Sequence, residues 1–407
     1  MRMKWAMLLG SPDISGGTYV IFEHAIRAKR RGIDVTLVTE EPVDMERLHW
    51  HPEATELSWR TYSEASEDLF DICIATWWRT VYELHRVQAK TYAYFVQSIE
   101  SRFYSESEKP LRQLVESTYA LPLHIITEAK WIKDYLKEHF NKEAYLVLNG
   151  IRKDIYFEDG EKHADRKKDK LRVLVEGPID VDFKNVPKTI ELCKQSNADE
   201  IWLLTSSPIT SYPGVDRVFS RVPIFKTPEI YRSCDVIIKL SYVEGMFGPP
   251  LEMFHCGGTS ITYDVTGHDE YIVDGQNGIV IACDNDTEVV KSINELKEDR
   301  IYLNQLLTNA KKTASEWPSW EESSSQFQTA IINIINNDRH ISNIEVKNYS
   351  NFMFGWYIIA ENYKNDKSRR VSSTMLPKIK SILKRRSPRL FDLLRKTKFY
   401  LITKKHK

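Results

Sequence analysis

The feature that most constrains the fold is the alternation of short apolar segments with helix-like segments, which occurs in two successive blocks. In the first block, an apolar run at 4–9 precedes the loop GSPDISGG (10–17), a helix-like stretch at 18–32 and a second apolar run at 34–39. This β-α-β order is typical of a parallel sheet, because a crossover helix joins two strands that run in the same direction. The alternation continues in the apolar runs at 70–76, 91–97, 123–128 and 144–150.

The charged run EDGEKHADRKKDK (158–170) interrupts this pattern, which then starts again. VPKTIELCKQ (186–195) is predicted to be a helix, since proline is well tolerated in a first helical turn. Two α/β blocks in succession predict two doubly wound parallel-sheet domains. The apolar runs of the second block lie at 171–177, 200–206, 234–241, 259–264 and 278–283.

We place the first domain at 1–160 and the second at 161–335, and we expect 336–365 to be a helical segment that packs back on the first domain. The net charge of zero conceals a basic tail at 366–407, which holds 15 Lys and Arg but 2 Asp and Glu, so the remaining residues carry −13. Basic residues interleaved with Ile, Leu, Phe and Tyr predict an amphipathic helix on an anionic membrane surface. Nucleic-acid binding and a solvated chain end are the alternatives.

The composition predicts a cytoplasmic protein. No stretch approaches the roughly 18 uninterrupted apolar residues that a membrane-spanning helix needs. The five cysteines are scattered without a C-x-x-C pair, which favours buried free thiols in a reducing compartment. With the basic tail, the expected location is the inner face of the plasma membrane.

The segment VEGMFGPPLEMFHCGG (243–258) combines two glutamates, Glu244 and Glu252, with four glycines and a pair of prolines. It follows a predicted strand and begins a predicted helix, and parallel sheets bind ligands at this end of their strands. The glycines allow close approach to the backbone, and helix amides attract phosphate oxygens. Glu252, expected in the first helical turn, can accept two hydrogen bonds from a ribose diol, and Glu244 can reach a second hydroxylated group. The alternative is that Glu252 complements the helix dipole and Glu244 is solvated.

This spacing resembles the E-x7-E hallmark of the family 4 retaining glycosyltransferases (glycosyl transferases group 1). That family has the GT-B architecture, an α/β fold of two facing Rossmann-like domains with a cleft between them. The resemblance covers about residues 1–335 and includes Gly-Gly before the first helix. YFVQSIESRFY (94–104) and YDVTGHDEYI (263–272) are most similar to the rhamnosyl and polysaccharide-building members. Other similar segments are YLVLNGI (145–151), EIYRSCDVIIKLSYVEG (229–245) and YIVDGQNGIVI (271–281).

The resemblance implies that Glu244 and Lys184 are catalytic residues and that Glu252 holds the nucleotide ribose. The family's arginine after the strand-end glycine is missing, because Pro178 follows Gly177. A second cation must come from elsewhere, and the candidates are Arg152, Arg221 and Lys226. Further implied contacts with the donor are Gly16, Gly17, Gly177, Met246, Phe247, Gly248, Leu251 and Arg221.

Candidate contacts with the sugar or the acceptor are Trp77, Trp78, Gln97 and Glu270. Gln97 stands where the family often has a histidine, and core packing is the alternative role for the two tryptophans. The D-x-D-like triplets at 180–182 and 284–286 are interpreted as loop carboxylates, so neither a metal nor another cofactor is expected.

The implied function is a metal-independent, retaining hexosyltransferase that uses a nucleotide-diphosphate sugar. Its expected acceptor is a growing cell-surface polysaccharide or lipid-linked glycan, with rhamnose as the sugar that the resemblance favours, and no nucleic acid is expected as a partner. The alternatives are a sugar-nucleotide epimerase or hydrolase of the same fold and a catalytically degenerate GT-B binding subunit.

Overall fold

Two parallel β-sheets form the core of the structure, a computed structural model that describes the backbone of residues 2–337 and 341–386 and the side chains of residues 2–337 and 341–364. The strands are β1 (Lys4–Leu8), β2 (Asp34–Thr39), β3 (Ser58–Thr61), β4 (Leu69–Ala75), β5 (Gln88–Val96), β6 (His124–Thr127), β7 (Ala144–Leu146), β8 (Arg172–Glu176), β9 (Glu200–Thr205), β10 (Arg217–Ser220), β11 (Val236–Lys239), β12 (Thr259–Tyr263) and β13 (Ile279–Ile281).

Helices connect these strands and cover the sheets. They are α1 (Gly16–Arg30), α2 (Tyr62–Ala65), α3 (Trp78–Glu83), α4 (Lys109–Ala120), α5 (Lys130–Phe140), α6 (Val186–Gln195), α7 (Thr227–Tyr231), α8 (Gly248–His255), α9 (Asp286–Glu298), α10 (Arg300–Glu316), α11 (Trp320–Ile335) and α12 (Asn343–Arg386). The helix predicted at 186–195 coincides with α6.

The strand order in the first sheet is β3-β2-β1-β4-β5-β6-β7, and in the second sheet it is β10-β9-β8-β11-β12-β13. The central strands are buried on both faces, which explains why they read as nearly continuous apolar runs. In both sheets the order reverses beside the first strand of the domain, between β1 and β4 and between β8 and β11. Ligands bind beyond the carboxyl ends of the strands at such switch points. The predicted fold class, with two Rossmann-like parallel-sheet domains, is confirmed.

The chain separates into two units, Met1–Ser350, which contains both sheets, and Asn351–Lys407. Within the first unit, α11 returns from the second sheet to cover the first, where Phe327 stacks on His24 with a centroid distance of 4.1 Å. The start of α12 contacts helix α4, since the Tyr349 hydroxyl donates to the Ser117 carbonyl over 2.8 Å. The domain boundaries predicted from the sequence stay predictions.

In the second unit, the backbone of α12 is helical as far as Arg386, and Phe352, Ile359 and Tyr363 are exposed. The side chains of the basic tail (366–407) and its backbone beyond Arg386 lie outside the described residues. None of the described helices is long and apolar enough to cross a membrane. The thiols are free, and four are buried as expected, but Cys283 is exposed, so the prediction of burial is wrong for this one residue.

Candidate functional site

The loops that follow β8 and β11 meet at the switch point of the second sheet. The backbone N–H of Tyr242 donates to the Phe183 carbonyl over 2.8 Å, and the Asn185 side-chain amide donates to the Leu240 carbonyl over 3.0 Å. Gly177 begins the first loop with a φ of +139°, a value that residues with a side chain rarely adopt. These backbone contacts fix the position of Lys184 in one loop relative to Glu244 in the other.

Glu244 is buried and paired with two lysines. The Lys184 Nζ lies 2.8 Å from both carboxylate oxygens, and the Lys239 Nζ lies 3.5 Å from Oε1. Burial acts to raise the pKa of Glu244, but the positive charges of Lys184 and Lys239 outweigh it and hold this pKa below its usual value. The structure therefore holds Glu244 as a carboxylate next to a partly exposed cation, Lys184.

Lys239 and Glu176 belong to this cluster, although the sequence analysis named neither. They are the last residues of β11 and β8, which pair with each other, and the Lys239 Nζ lies 2.7 Å from Glu176 Oε2. The sequence signal for Lys239 was a lysine directly after the apolar residues VII in the predicted strand CDVIIKLS. Two loops and two strand ends thus contribute four alternating charges.

Glu252 lies on α8, one position further into the helix than expected. The helix begins at Gly248, with Phe247 as its N-cap, so Glu252 is the fifth residue and not part of the first turn. Pro249 and Pro250 have no N–H, which leaves fewer free amides at this end than an ordinary helix start offers. Desolvation raises the pKa of Glu252 to about 7, so the carboxyl group titrates near neutral pH.

Tyrosine hydroxyl groups contact α8 at two places, the Glu252 side chain and the start of the helix. Hydrogen bonds with Tyr231 and Tyr156 counteract part of the desolvation of Glu252. At the start of the helix, the Tyr271 hydroxyl donates to the Phe247 carbonyl and also hydrogen-bonds with the amide of Leu251. The Leu251 amide, predicted to bind the diphosphate, is thus already in contact with a tyrosine.

The loop between Glu244 and α8 packs tightly against the first sheet. A Cβ at Gly245 would lie 2.0 Å from the Gln97 carbonyl oxygen, and the Trp131 indole N–H donates to the Gly245 carbonyl over 2.7 Å. The Met246 amide donates to buried Glu128 over 3.3 Å, and Asn149 donates to the same carboxyl group over 2.8 Å. Only glycine fits at 245, because the two halves of the protein touch there.

The glycines at the start of α1 face the same region. Gly16 and Gly17 were predicted to end the loop before this helix but are its first two residues, and a Cβ at Gly16 would have open space around it. A Cβ at Gly17 would lie 3.4 Å from Gln97 Oε1, an atom that is buried and has no hydrogen-bond partner among the described residues. Gln97 therefore connects the glycine loop of the first domain with the Gly245 loop of the second.

The other three candidate sugar contacts, Trp77, Trp78 and Glu270, occupy different environments. Trp78 is 2% exposed and hydrogen-bonds with Tyr104, so it packs in the core and offers no free face to a sugar ring. Trp77 is partly exposed and packs on Gly10. Glu270 accepts a hydrogen bond of 3.1 Å from the Trp131 amide at the start of α5, so it contacts the first domain.

The three candidates for a second cation also differ. Arg152 is buried in ion pairs with Glu53 at 2.5 Å and Asp154 at 2.7 Å, and Lys226 pairs with Glu229 at 2.6 Å. Arg221 adopts a left-handed backbone with a φ of +52°, and its Nε donates to the Ser206 carbonyl. Among these three, Arg221 is the one that forms no ion pair at contact distance within the described residues, although its charge acts on the Asp13 carboxylate.

Two acidic clusters lie apart from Glu244. Asp284 and Asp286 each lie 2.8 Å from Lys188; Asp284 lies in a loop, as interpreted, but Asp286 is the first residue of α9. Glu23, His51 and Glu53 have ligand atoms within 4.8 Å of one another. Arg152 already contacts both carboxylates of that group, and Arg27 contacts Glu23 as well, so cations of the chain itself neutralise it.

Sequence comparison identifies similarity over parts of the chain. The profile of the family described as Glycosyl transferases group 1 matches residues 217–313, which contain both Glu244 and Glu252. A curated protein of Methanocaldococcus jannaschii, named as an uncharacterized glycosyltransferase, is 24% identical over 212 residues, which are 49% of this chain and 56% of that protein. The chain thus matches little more than half the length of this curated relative.

Structural comparison extends the likeness to most of the chain. Sucrose-phosphate synthase from Thermosynechococcus elongatus superposes with a TM-score of 0.66 at 16% identity and covers 82% of this chain and 99% of its own. HepE from Anabaena, solved in complex with UDP-glucose, gives a TM-score of 0.66 at 13% identity and covers 82% of this chain and 100% of its own. The fold is therefore GT-B.

Proposed function

We propose that this protein is a glycosyltransferase that moves a sugar from a nucleotide-diphosphate sugar to a glycan acceptor. One observation carries the proposal: Glu244 is held as a buried carboxylate against Lys184 at the sheet's switch point, inside the segment that matches the group 1 profile. Within a GT-B fold, this end of the second sheet is where the strand order directs a ligand.

In this proposal the donor lies along α8 and the loop before it. Glu252 accepts hydrogen bonds from the ribose, and Lys184 binds the diphosphate, with Arg221 as the second cation within reach of the same ligand. Gly16, Gly17 and Gly177 let the phosphates approach the backbone closely. The donor sugar contacts Glu244 and the backbone of 246–248. HepE was solved with UDP-glucose, which supports a nucleotide sugar as the donor here.

The proposed reaction retains the anomeric configuration. The β-phosphate of the donor accepts the acceptor proton while the glycosidic bond breaks on the same face, so the chain supplies no nucleophile. Its residues orient the donor and stabilise the departing diphosphate, which is the kind of preorganised charge that accelerates such steps. In this proposal no metal takes part, and Lys184 and Arg221 provide the positive charge.

The acceptor is proposed to be a growing cell-surface polysaccharide or a lipid-linked glycan, with rhamnose as the transferred sugar. The basic tail at 366–407 would hold the enzyme on the anionic inner face of the plasma membrane. The exposed apolar residues Phe352, Ile359 and Tyr363 precede this tail on the same helix, which supports contact with lipid.

A donor panel tests the proposal. Release of nucleotide from UDP-, GDP- and dTDP-sugars is measured with and without a lipid-linked acceptor, in buffer that contains EDTA. Acceptor-dependent release that persists in EDTA is expected, together with a glycosylated product of unchanged anomeric configuration. Release or interconversion without acceptor would indicate a hydrolase or epimerase, and binding without turnover would indicate a binding subunit. Glu252→Ala is expected to weaken donor binding by at least tenfold, measured by calorimetry.

A further inference from the structure

Lys239 is a charged residue in a position where the sheet buries apolar side chains. It ends β11 after Val236, Ile237 and Ile238, and it is 3% exposed. Burying an ion pair costs several kcal/mol per ion, and well-packed apolar residues would stabilise such a position at least as well. Fold stability therefore does not explain this lysine, whereas its contacts with Glu176 and Glu244 suggest a role in the candidate site.

Lys184 and Lys239 contact Glu244 in different ways. Lys184 comes from a loop, its side chain is 23% exposed, and it makes both of its 2.8 Å contacts with Glu244. Lys239 comes from a strand, is buried, and is fixed by Glu176 at 2.7 Å. The partly exposed side chain of Lys184 can therefore turn toward a ligand, whereas the buried side chain of Lys239 is held beside Glu244 by Glu176.

Because of this difference, Glu244 can lose Lys184 as an ion-pair partner and keep Lys239. When Lys184 turns to a diphosphate, Glu244 loses its two closest contacts and stays buried. A buried charge without a partner is strongly destabilising, so this movement needs a second positive charge behind Glu244. Lys239 is in that position, 3.5 Å from Oε1.

We propose that Lys239, fixed by Glu176, is a positioning residue that keeps Glu244 ionised and in place while Lys184 leaves it to bind a diphosphate. The part of this proposal that concerns the diphosphate rests on the proposed function. The part that concerns Glu244 rests on the four-residue cluster alone. Lys239 thus supplies the positive charge that Glu244 needs, without touching the phosphates.

Other titratable groups also face Glu244 and must be considered in any test. Glu128 approaches from the first domain, and its pKa is raised to about 8, by burial and in part by the charge of Glu244. The Tyr271 hydroxyl feels the same charge. Neither residue changes in the variants below, so a shift in the titration of Glu244 reports on Lys239.

The direct test is the pH titration of the Glu244 carboxyl group by NMR of protein with ¹³C-labelled glutamate side chains, assigned with Glu244→Gln. Loss of an opposite charge within about 4–6 Å shifts a pKa by about 1–3 pH units. In Lys239→Met the pKa of Glu244 is expected to rise by about one pH unit or more, and Lys239→Arg is expected to restore the wild-type value. Lys188→Met, which removes an ion-paired lysine away from Glu244, is the matched control and should change nothing.

Glu176→Gln keeps the measurement decisive if Lys239→Met fails to fold. Without the Glu176 charge, the whole positive charge of Lys239 acts on Glu244, so the pKa of Glu244 should fall. Opposite shifts in Lys239→Met and Glu176→Gln, or a fall in Glu176→Gln alone, support the proposal. An unchanged Glu244 titration in the folded variants would overturn it.

Calorimetry with UDP and with GDP at pH 7 tests the exchange itself. Lys239→Met is expected to weaken binding by about tenfold or more, with Lys239→Arg near wild type and Lys188→Met unchanged. Equal affinity of Lys239→Met and wild type would refute the exchange. If neither nucleotide binds to wild type, the proposed function fails, and the carboxyl titration still decides whether Lys239 controls Glu244.

Discussion

The Nζ of Lys184 lies 2.8 Å from each carboxylate oxygen of Glu244, although the two residues are 60 positions apart in the chain. The pair is formed by neighbouring loops that are tied to each other through backbone hydrogen bonds. A partly buried ion pair of this kind adds little to fold stability once desolvation is counted. Its place at the switch point instead favours a role in binding a ligand.

The first prediction concerns this pair. Glu244→Gln keeps the shape of the side chain but removes the charge that orients Lys184. We expect kcat to fall by about 100-fold or more, the size of effect that follows loss of one preorganised polar group. Steady-state kinetics with the donor identified in the panel measures this. Glu64→Gln, a change on the first domain away from the cleft, serves as the control, and a wild-type kcat in Glu244→Gln would contradict the assignment.

The second prediction concerns the stability of the fold as a function of pH. The pKa of Glu252 is raised from an ordinary value of 4.5 to about 7 in the folded protein. The contribution of Glu252 to the free energy of unfolding is thus fully present below about pH 4.5 and is lost as the pH rises through 7. Glu252→Gln has no such loss, so its melting temperature relative to wild type is expected to increase from pH 5 to pH 8.

Glu244→Gln provides the matched control for this measurement. The pKa of Glu244 is lowered in the folded state, so its contribution is present above pH 4.5 and is lost only as the pH falls. The difference between Glu244→Gln and wild type should therefore stay nearly constant from pH 5 to pH 8. Thermal denaturation at four pH values measures both, and a flat difference for Glu252→Gln would show that its carboxyl group is not desolvated.

The sequence predicted the central strands and the edge strands β7 and β13, but it missed the other edge strand of each sheet. The apolar runs of β1, β4, β8 and β11 are strong signals because both faces of these strands are buried. The edge strands β3 and β10 were missed, since their side chains are exposed or only partly buried and leave no apolar run. The spacing of Glu244 and Glu252 could be read directly, because both residues lie on one continuous segment.

The rest of the candidate site depends on contacts between residues that are distant in the chain. Glu128 and Met246 are 118 positions apart, and no local pattern announces that the carboxyl group of one accepts the amide hydrogen of the other. Glu270, a candidate sugar contact, accepts a hydrogen bond from the start of α5, because the domains approach each other there. Side-chain roles at a domain interface depend on packing that a local sequence pattern does not encode.

The third prediction concerns the basic tail. Deletion of residues 366–407 removes a net charge of +13, and each basic residue near an anionic surface contributes about 1 kcal/mol to binding. We expect the full chain to float with vesicles that contain phosphatidylserine and the truncated chain to remain in the soluble fraction. Vesicles of phosphatidylcholine alone should bind neither form. Undiminished flotation of the truncated chain would show that the tail is not the anchor.

The last prediction compares two glycines of the same loop. A Cβ at Gly245 would lie 2.0 Å from the Gln97 carbonyl oxygen and 2.9 Å from the Glu128 carboxyl group, whereas a Cβ at Gly248 meets no atom within 4 Å. Gly245→Ala should therefore lower the melting temperature by several degrees, since the clash involves backbone that cannot move away. Gly248→Ala should leave it unchanged or raise it, because alanine favours a helix more than glycine does.

Donor binding separates the two variants further. If the donor approaches the start of α8, the added methyl group of Gly248→Ala occupies space that the ligand needs, so affinity falls while the fold stays intact. Thermal denaturation and nucleotide calorimetry on both variants measure this. A stable Gly245→Ala would mean that the loop does not press against Gln97, and wild-type affinity in Gly248→Ala would place the donor away from this helix.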